Sequence, residues 1–523
     1  MSTWPLSLAR VGAVCVAAVL VLAGCRGSDA DSSSTGPGQS PSPGVSTSPG
    51  ARAGASGHKA GEAKPTASSG RRGAPSPSDD FTRTAVKPEE PNPSNPFDSL
   101  YDRGFGLAAL SADPAGAMEK PAVADDLKKS AALDPVNKTF IYRATDASKA
   151  EGSFVRHDNS RKQAFNADNT RFIARDGQGA WYLYDAATFK QIKKLGEFKG
   201  NCEPIWHASN PNLLHFTLRD GGTTWWTYNV ETEKGEVMFD FSGRTPWSQA
   251  TSFSTKGRSM TSADGRYLAL IATRHDEATR TRNVYGLVVL DVKDKRIVGT
   301  LDAKNFPRPG ASPDYVSASP SGRHVVVSWP GDAGGTRVYT RDLTDSFELP
   351  TTSKHADMAY GPQKQDYYVF VDYSKNQLSA TDLDSHERID LRSLYPANGE
   401  NYTLDISGQA YDKPGWAVVS TYGEKKDDVS DEAAPQERAE YRKVWLVELK
   451  AGGQALSVAN VRTNASAIGG SSKDAAPQAV SDPDFFKPQA SASRDLSRIV
   501  FADNFGQGPI ESYMVGLPSW AVR

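Results

Sequence analysis

Cysteine is scarce, with three in 523 residues. Cys15 lies inside an apolar N-terminal run, Cys25 follows that run, and only Cys202 remains beyond it. An intramolecular disulfide, a cysteine-based zinc site and a CxxC redox pair are therefore excluded from the rest of the chain. Cys202 reads as a small buried apolar residue. An excess of charge is also missing: Lys+Arg 60 stand against Asp+Glu 62, for a net charge of -2. No basic face for a nucleic-acid partner is implied. Hydrophobic residues make up 38% and the mean hydropathy is -0.52. Beyond the N-terminus no stretch reaches about 18 apolar residues, which argues against an integral membrane protein. The sequence has no GxSxG, HExxH or Walker motif and no complete GxGxxG, so it carries none of the common local signatures of hydrolysis or nucleotide binding.

The N-terminus is more informative. Arg10 precedes the continuous apolar run VGAVCVAAVLVL at 11–22. That run is too short to span a membrane as a mature helix and has the proportions of an export signal. It ends in Leu22-Ala23-Gly24-Cys25, which resembles a bacterial lipobox. The resemblance implies cleavage after residue 24 and lipidation of the Cys25 thiol. Several acyl chains on one residue anchor a protein stably, where one chain holds only marginally. We therefore expect an exported protein held to the cell membrane or outer membrane, facing periplasm or cell exterior. Residues 25–98 are rich in Ser, Gly, Pro, Ala and Thr, and are nearly free of aromatics until Phe81 and Phe97. Such a segment cannot bury enough apolar surface to offset the entropy of ordering, and reads as a disordered linker. Residues 99–137 form a transition with a weak helical pattern over Ala122–Leu133.

From about residue 138 the texture changes to short β-branched and aromatic runs separated by Gly, Asp, Asn, Ser and Pro turns. One unit recurs: a small-residue turn, an apolar strand, a polar turn, a second strand and a charged outer strand. Copies begin near Phe165, Trp206, Ser262, Ser319 and Tyr360, a sixth contains GWAVVSTYG and YRKVWLVELK, and a seventh begins at Ser493. Spacings of about 40–60 residues and four strands per copy predict an all-β fold, a seven-bladed β-propeller of four-stranded antiparallel blades over 138–518. The seventh copy lacks an outer strand. Thr139–Arg143 (TFIYR) is expected to supply it and so close the ring, which removes exposed edges.

The turn itself is physically specific. Ser262-Ala-Asp-Gly265, Ser319-Pro-Ser-Gly322 and Ser493-Arg-Asp-Leu496 share a pattern in which Ser and Asp bond the turn backbone and Gly accepts a positive φ. The last carries Leu where Gly is usual. Through these turns, over roughly residues 160–517, the chain resembles the TolB-like propellers with WD40-like, PD40-type repeats. The resemblance implies the fold and leaves the activity open, since such blades serve binding scaffolds, peptidase gates and a lyase family. The chain ends at Arg523, soon after the last copy, so the hydrolase domain that follows such propellers in some peptidases is not expected.

Site candidates lie where a propeller presents residues to its axis: His207, Asp314, Tyr315, His355, Asp357 and Gln489. His355 and Asp357 have the two-residue spacing that puts both on one face of a strand, where a His and a carboxylate can ligate a metal or a polar ligand. The alternative is a hydrogen-bonded pair tying adjacent blades. The chain is also partly similar to the oligogalacturonate lyases, seven-bladed propellers with His and Gln ligands to a divalent metal. His355 and Gln489 occupy comparable positions, but no His pair clusters beside Gln489. His215 is expected to pack within a strand, and His157, His275, His324 and His386 to face solvent. Trp225 and Trp226, with the other tryptophans, suggest carbohydrate stacking. Adjacent residues on a strand point to opposite faces, however, and packing between sheets explains them as well. The run 424–443 reads as a solvated loop.

These readings combine into one expectation: a monomeric, lipid-anchored propeller that binds a protein or glycan of the cell envelope without catalysis. The alternatives are a polysaccharide lyase with a divalent metal at His355, Asp357 and Gln489, and a structural envelope-assembly factor.

Overall fold

The computed structural model describes residue 92 and residues 94–522, apart from 114, 153, 199–201, 219–220, 277–278, 280, 350–354, 395–401, 424–438 and 465–486. The expected export signal, Cys25, most of the linker and most of the 424–443 run lie outside the described residues.

Among the described residues the strands form three four-stranded sheets and two larger ones of eight and nine strands. Each larger sheet divides into two antiparallel four-stranded units at a single parallel pair, Gly222–Ser252 or Val155–Glu511, the ninth strand being the added Ala132–Leu133. The units are numbered here I (155–194), II (205–240), III (252–302), IV (315–349), V (357–393) and VI (402–460). Unit VII joins the two ends of the sequence: the last three strands, within 491–516, are completed by the strand Phe140–Arg143. The expected pairing of 139–143 with the last copy is thus present, in the register Phe140–Gly516 to Arg143–Tyr513.

Alternation along the strands directs apolar side chains to both faces of each sheet, and they pack between neighbouring units. Seven buried clusters result, and each joins two successive units. Leu183 and Trp181 of unit I meet Leu214 and Tyr228 of unit II. Trp225 of unit II meets Leu268 and Val288 of unit III. The series continues from III to IV, IV to V, V to VI and VI to VII. It returns to its start where Tyr142, Val500 and Met514 of unit VII meet Phe172 and Tyr182 of unit I. No unit has a core of its own, so the units are stable only together.

The repeated turn behaves as its residue types require. Ser262 Oγ lies 2.5 Å from Asp264 Oδ1 and accepts the Tyr267 N–H at 3.0 Å, while Gly265 takes φ +77°. Ser493 does the same with Asp495 and the Arg498 N–H, and Leu496 adopts φ +60° in the glycine position. Its side chain compensates by packing into the cluster between units VI and VII.

Two expectations fail. The linker, expected to run disordered to residue 98, is ordered at its end: Pro96–Leu100 is a 3-10 helix with Phe97 fully buried, because Asn95 and Asp98 bond to Leu517 and Ser519. Ala122–Leu133 forms no helix. Val123 bridges to Arg143, Ala124 N–H donates to Arg143 O at 2.9 Å, and Ala132–Leu133 adds a strand beside Phe140–Ile141. A helix this short is marginal without tertiary support, and the open edge of unit VII offers hydrogen bonds instead.

Candidate functional site

The centre of the cycle is built by an interruption in one strand. In unit I, Val155 and Arg156 pair with Asp176 and Arg175, and the ladder resumes only at the Phe165–Phe172 bridge. Between them the chain leaves the sheet and touches four other units. Lys162 Nζ donates to Pro204 O beside unit II at 3.4 Å, and the Gln163 N–H points to Met260 Sδ of unit III at 3.5 Å. The Arg161 guanidinium lies 4.7 Å over the Tyr315 ring of unit IV, and Ser491 Oγ of unit VII donates to Lys162 O at 2.6 Å. Arg161, Lys162 and Gln163 are all buried. A segment that meets units II, III, IV and VII together occupies the axis.

The side chains expected at the axis take different roles around this segment. Tyr315 is buried beneath Arg161, and burial pushes its hydroxyl well above the ordinary tyrosine value. Its oxygen has no hydrogen-bond partner among the described residues. Asp314, half-buried, donates its N–H to Ser328 O at 2.8 Å.

His355 and Asp357 do not act as a pair, because the strand begins at Asp357 and each has its own partner in unit VI or just after its first strand. His355 Nδ1 lies 2.9 Å from Asp405 Oδ1. Asp357 Oδ2 accepts the Gly408 N–H at 2.8 Å and Gln409 Nε2 at 3.0 Å. Their electrostatics also diverge. Burial raises the Asp357 carboxyl above the usual carboxylate range, against the pull of Gly408 and Gln409. Burial acts on Asp405 in the same sense, but the hydrogen bond from His355 and the charges of His355, Lys487 and Arg161 outweigh it and hold Asp405 low. Both contacts tie unit V to unit VI, but each residue does so separately and not as the bonded pair of the alternative reading.

Gln489 ties unit VII to unit I. Its carbonyl accepts from His157 Nε2 at 2.7 Å, and its Oε1 accepts from Asn159 Nδ2 at 3.2 Å and Arg156 Nη2 at 3.4 Å. His157 is fully buried rather than solvent-facing, and burial lowers its pKa to about 3. Because a carbonyl can only accept, the neutral ring carries its proton on Nε2. His207 lines a small cavity together with Gln163, Met260, Tyr411 and Arg494. Its Nδ1 accepts the N–H groups of Ser209 and Asn210 at 3.2 and 3.0 Å, which stabilises the turn after the inner strand of unit II. Burial lowers its pKa too.

Sequence reasoning missed Arg161, which lies over Tyr315, and Asp405, which bonds His355 and is acted on by the charge of Lys487. The available signal was the polar run HDNSRKQ at 157–163, placed where an inner strand alternates. No group of three or more His, Cys, Asp or Glu side chains placed to hold a metal ion occurs among the described residues. The tryptophans pack: Trp181, Trp206, Trp225, Trp247, Trp329, Trp416, Trp445 and Trp520 are buried, and Trp226 alone among the described tryptophans is exposed, at 38%.

No family model and no curated protein matches the chain. Solved structures do. An oligogalacturonate lyase in complex with manganese superposes with a TM-score of 0.51 at 14% identity, covering 77% of this chain and 100% of that one. An oligogalacturonate lyase from Vibrio parahaemolyticus gives a TM-score of 0.51 at 12% identity, with the same coverage. The β-propeller domain of Cps50 (Swd1) from Myceliophteria thermophila gives 0.39 at 11% identity, over 68% of this chain and 96% of that one. At these identities the first two show the fold alone: the described sheets match a β-propeller.

Proposed function

We propose that this chain is a lipid-anchored, seven-bladed β-propeller that serves as a non-enzymatic binding platform for a protein or glycan of the cell envelope. Units I–VII are its blades, residues 1–24 its export signal and Cys25 its anchor. The observation that carries the reading is the filled axis. A propeller that works on a small ligand needs a concave axial site lined by a few convergent polar groups. Here the 157–163 segment takes most of that space, leaving a small cavity lined by Gln163, Trp206, His207, Met260, Tyr411 and Arg494, and its Arg161 charge acts on Asp357 and Asp405 of the same chain. Ligand recognition is left to the loop faces, a geometry suited to a macromolecular partner.

The manganese named with the lyase neighbour does not fit these residues. His355 is bonded to Asp405, Asp357 to Gly408 and Gln409, and Gln489 to Asn159. The Arg161 guanidinium stands among them, where a divalent ion would meet like charge. No catalytic step is derived through a metal.

Two measurements test the reading. Cys25→Ser moves the protein from the membrane fraction to the soluble fraction; equal partitioning of the two forms would overturn the anchor. The intact chain, on a glycan array and against purified envelope proteins, retains a ligand and yields no unsaturated product from oligouronides. Release of such a product would overturn the non-enzymatic reading.

A further inference from the structure

The residues just ahead of the closing strand are bound to the body at several places, among them Asp113 O by Lys443 and Gly116 O by Arg462, and three of these places bear most on closure. At the first, Asn95 Nδ2 donates to Leu517 O at 2.9 Å and to Ser519 Oγ at 3.2 Å, while Asp98 Oδ1 accepts the Ser519 N–H at 2.7 Å. The short 3-10 helix Pro96–Leu100, capped by Asn95, drops Phe97 onto the bare backbone of Gly516. A Cβ on Gly516 would stand 2.1 Å from the Phe97 ring, so this glycine is required for the approach. Tyr101 links the two ends of unit VII: its hydroxyl donates to Gly516 O at 2.6 Å and accepts the Phe140 N–H at 2.9 Å.

At the second place, Ala109 bridges to Leu456, Leu110 N–H donates to Ala455 O, and Ser457 N–H donates to Ala108 O. These bonds cover the outer edge of unit VI. At the third, Lys120 Nζ lies 3.3 Å from Glu511, the same buried carboxylate that Arg143 of the closing strand grips at 2.6 and 2.8 Å.

We propose that residues 92–133 are a strap: a second, non-covalent clasp on the ring, and the place where pull from the N-terminal side enters the body. The role under pull rests on the reading of Cys25 as the anchor; the clasp does not. Without the strap, tension on the N-terminal side would act directly on Phe140–Arg143, whose few bonds to unit VII would break in succession. With it, tension first meets Asn95, Asp98 and Tyr101, which bind residues 516–519 at the opposite end of the sequence. The load is then shared across units VI and VII, and the closing strand is shielded.

The test is to cut the chain between strap and body and ask whether the strap stays. A protease site inserted at Ala115, which is exposed, divides the chain after the first two contact places. In the soluble Cys25→Ser form, the cleaved N-terminal fragment is expected to elute with the body in native buffer and to separate only in denaturant. Asn95→Ala with Asp98→Ala, which removes the bonds to Leu517 and Ser519, is expected to speed loss of the fragment by about tenfold or more. Separation of the fragment upon cleavage, or a double variant that retains it as long as the parent, would overturn the clasp. In the form with Cys25 intact, the cleaved body is expected to stay with the membrane fraction, and its release on cutting would overturn the load-bearing role. If the uncut chain never enters that fraction, the anchor reading fails while co-elution still decides the clasp.

Discussion

Units IV and VII have the same strand order and opposite histories. Unit IV comes from one continuous stretch, and its strands follow each other through short turns such as Ser319–Gly322. Unit VII brings Phe140–Arg143 against Tyr513–Gly516 from the far end of the sequence. A local hairpin is held in register by its turn, whereas a distant pair must meet a loop-closure cost before any contact rewards it. The two units also differ in their polar chemistry. The ion pair of unit IV, Arg337–Glu348, sits at the surface with the Glu348 side chain 60% exposed. The pair of unit VII, Arg143–Glu511, has a carboxylate with no exposure at all. Burial of a charge does not by itself follow from distant connectivity, since continuous unit III also holds a fully buried carboxylate, Asp291, against Arg266; the strap is what unit VII has and unit IV lacks.

That contrast is best broken by removing one cation from each unit. Arg143→Ala leaves the buried Glu511 with Lys120 and the Ala147 N–H and is expected to cost about 3–5 kcal/mol. Arg337→Ala, at an exposed pair, is expected to cost under about 1 kcal/mol. Urea unfolding measures both, and equal losses would erase the distinction. Core truncation sharpens it. Ile141→Ala in the closing strand and Leu349→Ala in the outer strand of unit IV remove comparable buried side chains, each worth about 2–5 kcal/mol. The loss at Ile141 is expected to be the larger, because it also weakens closure.

A third comparison concerns pH. Burial lowers His157, at the junction of units VII and I, and His215, within unit II, from the ordinary 6.5 to about 3. Between those values the unfolded chain binds protons that the folded one refuses. Stability is therefore complete above about pH 6.5 and falls as the pH drops toward 3, by up to about 1.4 kcal/mol per pH unit for each ring. Thermal midpoints from pH 7 to 4 should show this slope. His157→Gln should flatten it, and a slope unchanged by the substitution would remove His157 from the account. The smallest effect is local: Lys364 sits exposed in a turn of unit V at φ +61°. Lys364→Gly relieves left-handed strain and is expected to gain about 0.5 kcal/mol, read as a small rise in thermal midpoint.

The units were legible because their signals are local and repeated. Ser262, Asp264 and Gly265 announce a turn from their own chemistry, and Thr139–Arg143 could be paired with the last copy because that copy visibly lacked a strand. The strap was not legible. Asn95, Asp98 and Tyr101 bind carbonyls and amides some four hundred residues away, and backbone partners leave no pattern in side-chain composition. The axis was half legible. Tyr315 and Asp357 open their strands and Gln489 precedes Ser491–Ala492, yet the charge beside the first two, Arg161, lies in a run whose polarity reads equally as a surface loop. His355 and Asp357 show how spacing misleads: two residues apart implies one face only if both lie in the strand, and this strand starts at the second of them.

Cys202 is the one cysteine among the described residues, buried in the cluster between units I and II. A thiol held there is out of reach of an alkylating reagent until those two sheets separate. Its labelling rate at increasing reagent concentration therefore times the opening of one junction, that between units I and II, without any probe being added to the molecule.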